Sequence, residues 1–547
     1  MSGGVAAEQR SGAVTSALRW LKSLWTVPPP DGVNQPAHWA IWQGFVGSLF
    51  MTIGSFGTGW LNVSSPLTRN PFFIAMRTEG WGVTISTLLL AFGAMLLVRS
   101  WLRLGQRLRY WGREALRPVV WALVAWSLPL FFAVPIYSRD VYAYNGQGRL
   151  MVENINPYEQ GIAALNNWFQ LGADPMWSAT RTPYGPYFLW MERWVVQLSG
   201  GDADYAVLLF RLLAVAGMAM TAYYVYKVAQ LHHIDGGRAI WIAVANPLSI
   251  ISFVASAHND SLMVGFALAA VYYTAKGKWA LGIVMACLSI GIKPITVIIL
   301  PFIGLLWAGK GASWSRKILC WIGTAAGTAL ILGLSGLVYD LGWGWIKAIL
   351  DPTPGFIAYT PSGFTSNIIA SITSSLGLDG GSIADGFRGI VKWVGVLIAV
   401  VLIFRGDDSK VIRRLGLAFA AIVMLNAIIQ PWYVLWFIPF LAATGIRNDW
   451  QIKSWYIVVV FFVVFGAQDQ LNIWQFVNTP VEPATITAAV TFLFVLYLLL
   501  LDPKTRRLLV HFQAPAEHKA KAAATPKSSA GTADDGQHNK VSSGTSG

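Results

Sequence analysis

Long apolar runs, separated by short polar stretches, fill the chain from residue 38 to residue 502. A helical bilayer crossing takes about 20 apolar residues. That measure predicts spans near 38–61, 82–100, 118–136, 205–229, 239–256, 261–275, 280–292, 294–308, 318–338, 389–404, 413–430, 432–446, 455–467 and 484–501. The expected fold class is an all-α polytopic membrane protein with about 14 transmembrane helices. The run 280–308 could be one overlong helix, which would reverse every later loop. Pro294 breaks helix and disfavours it at the preceding residue, so we expect two short arms meeting at Lys293–Pro294.

Composition agrees with the pattern. Hydrophobic residues make up 55% and charged residues 12% of 547, with a mean hydropathy of +0.51. A soluble chain carries about 25% charged residues. Many of the 27 Trp, 28 Phe and 18 Tyr fall at the edges of apolar runs, where aromatic belts form. The two cysteines, Cys287 and Cys320, lie inside apolar runs and read as small core residues. The net charge of +14 does not point to nucleic acid here. It reads as loop Lys and Arg beside anionic lipid headgroups.

The basic residues set an expected orientation. Arg99, Arg103, Arg107, Arg109, Arg113 and Arg117 form one group. Lys276 with Lys278, Lys310 with Arg316 and Lys317, Arg413 with Arg414, and Arg506 with Arg507 mark others. With the spans above, all land on one side, which should be cytoplasmic. Residues 1–37 lack the short apolar core of a cleavable signal and read as a cytoplasmic N-terminal segment. Residues 503–547 read as a cytoplasmic, largely disordered tail.

The opposite loops collect the polar chemistry. The longest is 137–204, with "YSRDVYAYNGQGR" at its start and "RTPYGPYFLWMERW" at 181–194. The second stretch is expected to be an amphipathic helix on the membrane surface. "SAHND" at 256–260, Lys293, the segment 339–388 and "IIQPWYVLW" at 428–436 fall on the same face. Polar groups thus gather at the ends of several spans, as a site at the water–lipid boundary requires.

No phosphate-binding GxxxxGK[ST] loop, HExxH zinc pair or GxSxG elbow is present. His232 and His233, beside Asp235, read as solvated turn residues. Lys293 is open to two roles, ligand cation or snorkelling anchor. Asn259 and Asp260 could cap a helix or touch ligand, and Arg139–Asp140 could be a capping pair. Asn145, Gln147 and Arg149, polar and close to the membrane, weigh against a cap alone.

An acidic residue in the first long outward loop, just after a span, resembles the GT-C superfamily of membrane glycosyltransferases. The run "YSRDVYAYNGQGRLMVENINPY", then "TPYGP" at 182–186, "HND" at 258–260, "KP" at 293–294 and "QPWY" at 430–433, is more specific. In that order it resembles actinobacterial polyprenyl-phosphate-mannose-dependent α-1,6-mannosyltransferases, the B type above all.

The resemblance implies a GT-C catalytic domain over 38–502, with amphipathic helices in the loop 137–204. It implies an inverting transfer of mannose from polyprenyl-phosphate-mannose to a lipid-anchored mannoside, in lipomannan and lipoarabinomannan synthesis at the outer face of the plasma membrane. Such a transfer needs a general base at the acceptor hydroxyl and positive charge at the leaving phosphate. Asp140 fits the base, and Arg139, Arg181 and Lys293 are outward cations for the phosphate. Tyr142, Tyr144, Tyr184, Trp432 and Tyr433 could stack on sugars, and Asn145, His258, Asn259, Asp260 and Gln430 could bind sugar or acceptor. No cofactor is expected. A metal requirement stays open, since only Asp140 and Asp260 look placed to hold one. Another GT-C transferase (protein O-mannosyl- or arabinosyltransferase) is the near alternative. A lipid-linked sugar transporter or flippase is the distant one, as no repeated halves are visible.

Overall fold

The computed structural model describes residues 36–108, 113–350, 356–469, 471 and 477–510. The expected lead-in over 1–35, Arg109 and the tail beyond 510 lie outside the described residues. Every regular element among the described residues is helical.

Seven helices are long and apolar enough to cross a bilayer: Gly80–Arg107, Glu114–Phe131, Ala203–Leu231, Trp314–Gly336, Gly380–Phe404, Trp450–Asp469 and Pro483–Leu501. The pair Gly236–Ala243 and Pro247–Ala255, bent by 60°, makes an eighth if counted as one span. Asn246 and Pro247 make the bend, because Pro247 has no N–H to give and Asn246 caps the new turn at Ser249. Asp260–Ala275, Trp279–Ile292, Pro294–Ala308 and Pro431–Thr444 are shorter apolar helices. The fourteen expected runs are therefore nearly all helical, but fewer reach full crossing length. The run expected at 413–430 is helical only over Val411–Met424, and that at 432–446 divides into Pro431–Trp436 and Ile438–Thr444. The run at 280–308 does break at Lys293, whose backbone is extended (φ −142°, ψ 110°). Within 339–388 a further helix, Pro361–Ser375, takes up "SGFTSN".

Small residues let the first helices approach closely. A Cβ at Gly93 would stand 2.5 Å from the Gly47 carbonyl oxygen, so His38–Thr58 and Gly80–Arg107 meet backbone to backbone. Elsewhere the outer surface is apolar. Ile390, Trp393 and Leu397 on Gly380–Phe404 are exposed, as a lipid-facing helix requires.

The two ends of the bundle differ in chemistry. At one end Arg99 and Arg103 reach Asp502 at 3.2 and 3.3 Å, and Lys317 reaches Asp408 at 3.1 Å. Arg413 donates to the Gly445 carbonyl at 2.6 Å and Arg238 to that of Ile446 at 2.6 Å. These contacts tie several of the basic loops to neighbouring segments at this end. At the other end the Asn62 amide and the Ser65 hydroxyl donate to Asp204, and the Asn156 amide to the Asp340 carbonyl. Asp140, Asp260 and Lys293 belong to this second end.

Candidate active site

Two carboxylates define the site, and each opens a helix. Asp140 is the first residue of Asp140–Val152 and Asp260 that of Asp260–Ala275. Neither is a cap residue, so capping does not explain them. A carboxylate in the first turn is favoured by the helix dipole. The Asp140 N–H donates to Ser138 Oγ at 3.1 Å.

Between them lies His258. Its Nδ1 is 3.8 Å from Asp140 Oδ2, 4.0 Å from Asp260 Oδ2 and 3.4 Å from the Tyr144 hydroxyl. Its ring stacks on Trp432, with centroids 3.8 Å apart. Burial pushes the imidazole pKa down to about 3, against the pull of Asp260 and with the push of Lys293. His258 is therefore neutral and acts as a hydrogen-bonding wedge rather than a cation.

Lys293 closes the other side. Its ammonium lies 2.8 Å from Asp260 Oδ1, and the same oxygen accepts the Trp436 indole N–H at 2.6 Å. Tyr184, Tyr433 and Trp436 surround the ammonium with ring centroids 5.8, 5.4 and 5.1 Å away. Tyr184 arrives because Gly185 packs against the end of Trp279–Ile292. The Gly185 N–H donates to the Ile292 carbonyl at 3.1 Å, and a Cβ there would stand 2.5 Å from the Ile290 oxygen. The segment expected as an amphipathic helix over 181–194 is helical only over Pro186–Leu198, since Gly185 and Pro186 place the start later. Phe188 and Leu189 face inward there, and Trp194 is exposed.

Several buried polar atoms have no hydrogen-bond partner: His258 Nε2, both amide atoms of Asn259, and Asp260 Oδ2. Buried polar atoms are nearly always paired, so this cluster has donors and acceptors to spare. The Asp140 side chain is 18% exposed, which leaves it reachable. Its pKa is pushed up to about 6, by burial first, with Lys293 opposing and Asp260 adding. The cation opposing that rise is Lys293 and not Arg139.

Other expected site residues fall elsewhere. Arg139 turns away to Asp174, 2.8 Å from its carboxylate, and lies over the Trp60 ring at 4.4 Å. Arg181 is exposed, and no ion pair among the described residues ties it to the carboxylates. Tyr142 donates its hydroxyl to the Trp60 carbonyl at 2.8 Å. At about 100° per residue it stands on the opposite side of its helix from Asp140, and Asn145 stands about 140° round. Asn145 is buried with both amide atoms unpartnered, so it marks a separate polar spot. Gln147 accepts from the Thr182 hydroxyl at 3.0 Å, and Arg149 lies by Glu153. Gln430 is half-buried at the start of the turn that carries Trp432 and Tyr433. The distant motifs "HND", "KP" and "QPWY" do meet at Asp260 and His258. Trp436, the tryptophan that bonds Asp260, was present in "IIQPWYVLW" but carried no signal distinguishing it from a belt residue. Among the described residues no group of three or more His, Cys, Asp or Glu is arranged to hold a metal ion.

The fold and site together define a multi-spanning membrane protein with a two-carboxylate cluster at one end of its bundle. Residues 41–309 match the family model described as alpha-(1->6)-mannopyranosyltransferase, N-terminal domain, and residues 360–499 match that of the MptB C-terminal domain. The chain belongs to this alpha-(1->6)-mannopyranosyltransferase family. It is 28% identical to alpha-(1->6)-mannopyranosyltransferase A of Mycobacterium tuberculosis, over 72% of this chain and 78% of the relative. It is 27% identical to a probable alpha-(1->6)-mannopyranosyltransferase of Mycolicibacterium smegmatis, over 83% and 87%. It is 22% identical to alpha-(1->6)-mannopyranosyltransferase B of Corynebacterium glutamicum, over 77% and 75%. No solved structure matches it significantly.

Proposed function

We propose that this protein transfers mannose from polyprenyl-phosphate-mannose to a hydroxyl of a lipid-anchored mannoside, forming an α-1,6 linkage with inversion. The observation that carries the reading is the partly exposed Asp140 carboxylate beside the buried, unpartnered polar atoms of His258, Asn259 and Asp260, with Lys293 paired to Asp260. The names of the relatives supply the sugar and the linkage. Asp140 accepts the acceptor proton as the new bond forms, and a pKa near 6 makes it a stronger base than an ordinary carboxylate. Lys293, 12% exposed, offers its remaining N–H donors to the departing phosphate. His258, Asn259 and Asp260 hold sugar hydroxyls, and Trp432 and Tyr433 line the pocket with ring faces. The site lies on the outer face of the plasma membrane, with both termini cytoplasmic, in a GT-C arrangement serving lipomannan and lipoarabinomannan synthesis.

The test is direct. Purified protein in detergent receives polyprenyl-phosphate-mannose and a short α-1,6-mannoside, and the product linkage is determined. A product longer by one α-1,6-mannose supports the reading. Absence of transfer by protein shown to be folded and to bind the donor would overturn it.

A further inference from the structure

Arg211 lies within the Ala203–Leu231 helix, 1% exposed, in a position that the expected chemistry does not use. Its partners are three main-chain carbonyls. Nη1 donates to Phe131 at 2.9 Å, Nε to Val254 at 3.1 Å and Nη2 to Ala255 at 2.8 Å. These are the last residues of two different helices, Arg113–Phe131 and the bent Pro247–Ala255. Helix C-termini present unpaired carbonyls and a partial negative charge, so one buried guanidinium satisfies both ends.

The two ends lead into loops of the same design. In each, a non-glycine residue with positive φ stands three positions before the aspartate: Tyr137 (φ 67°) before Asp140 and Ala257 (φ 57°) before Asp260. Such a conformation is strained and persists only where surrounding contacts impose it. The Ser256 hydroxyl then ties loop to loop by donating to the Ile136 carbonyl at 2.7 Å.

We propose that Arg211 is a positioning residue, which with Ser256 fixes the spacing of the Asp140 and Asp260 loops and so the shape of the pocket between them. This rests on the reading of Asp140 as the base. A misplacement of about 1 Å at a reacting group can cost roughly 10²-fold in rate. Lysine has a single ammonium that cannot reach all three carbonyls in the planar fork geometry of arginine.

The experiment compares Arg211→Lys, Ser256→Ala and the double variant in mannose transfer, with melting temperature and the pH dependence of kcat/KM read on each. The groups facing Asp140 are Ser138, Tyr144, Asp174, Tyr184, His258, Asp260, Lys293 and Tyr433. Burial is the largest influence on its carboxyl, so a loosened pair of loops admits water and lowers the pKa. Arg211→Lys is expected to lower kcat/KM about 10- to 100-fold and to move the acid limb down by about half a pH unit. Ser256→Ala is expected to show a smaller shift in the same direction. A partly unfolded preparation would lower the rate without moving the limb, and that result would overturn the proposal. If Arg211→Lys does not fold, Ser256→Ala decides, and its wild-type rate and limb would also overturn the proposal. Asp140→Asn run alongside separates the readings. An active Asp140→Asn removes the base assignment, whereas a dead Asp140→Asn with unmoved limbs in both positioning variants removes this proposal alone.

Discussion

Lys293 and Asp260 form the closest ion pair in the pocket, 2.8 Å apart, with the Asp260 side chain wholly buried and Lys293 nearly so. The pair joins two sequence motifs 33 residues apart and sits beside buried, unpartnered polar atoms of His258, Asn259 and Asp260 itself.

Breaking such a pair from either side leaves a buried charge uncompensated, at a cost of roughly 3–5 kcal/mol. Lys293→Met strands the fully buried carboxylate and should be the more damaging single change. Asp260→Asn keeps the Trp436 hydrogen bond and leaves an ammonium that can shift toward water. The double variant should recover about 0.5–3 kcal/mol relative to the sum of the singles. Thermal unfolding in detergent measures this, and simple additivity would show that the pair is not coupled. In kinetics, Lys293→Met should raise the KM for the lipid-linked donor and lower kcat, since the phosphate gains charge as it leaves.

Glu192 offers an independent check on burial in the loop 137–204. It lies on Pro186–Leu198, is fully buried, and both its carboxyl oxygens lack a partner. Burial pushes its pKa well above the usual range. The folded state therefore binds this proton more tightly than the unfolded chain does. Stability from this group is fully present at low pH and is lost as pH rises past the unfolded value of about 4.3. Glu192→Gln cannot ionise, so its melting temperature relative to the parent should improve as pH rises above about 5, by about 1 °C or more per pH unit. A difference that stays constant with pH would show that Glu192 is hydrated.

Sidedness has its own test. Met176 in the loop 137–204 is 61% exposed, Ser409 at the opposite end is exposed, and both native cysteines are buried. Met176→Cys should react with an impermeant thiol reagent in intact spheroplasts, and Ser409→Cys only after lysis. The reverse pattern would turn the site toward the cytoplasm.

Much of this architecture was legible in the sequence, because apolar runs and prolines act locally. Pro294 breaks the 280–308 run where expected, and contacts tie several of the basic loops to neighbouring segments at one end. Helix ends were less legible: Gly185 and Pro186 delay the start of Pro186–Leu198, and the run at 413–430 stops at Met424, short of its expected end. At the site, "HND", "KP" and "QPWY" converge because each sits at a span end. The direction of a side chain around its helix is a different matter. Tyr142 and Asn145 share a motif with Asp140, yet the helical turn carries them away from it. Arg139 looked like a ligand cation, but Asp174, 35 residues on, claims it. Arg211, a charge inside the expected span 205–229, was itself a signal, but its partners are backbone carbonyls that no side-chain motif records.

The sharpest prediction concerns Asp140. A base must be ionised to take a proton, and burial raises this carboxyl to about 6 while Lys293 restrains the rise. Transfer should therefore fall as pH drops through about 6, with the acid limb of kcat/KM reporting the free enzyme. Asp140→Asn preserves size and hydrogen-bonding capacity but cannot accept the proton. The change should lower kcat by about 10²- to 10⁴-fold and erase that limb from whatever rate remains. Folding should survive, because Asp140 caps no helix and its side chain is partly exposed. Donor affinity should survive too, because Lys293 keeps its bond to Asp260. Near-parental turnover in a folded Asp140→Asn protein would move the base elsewhere. Asp260, the other carboxylate, would then be the group to examine, with its unpartnered Oδ2 4.0 Å from His258 Nδ1.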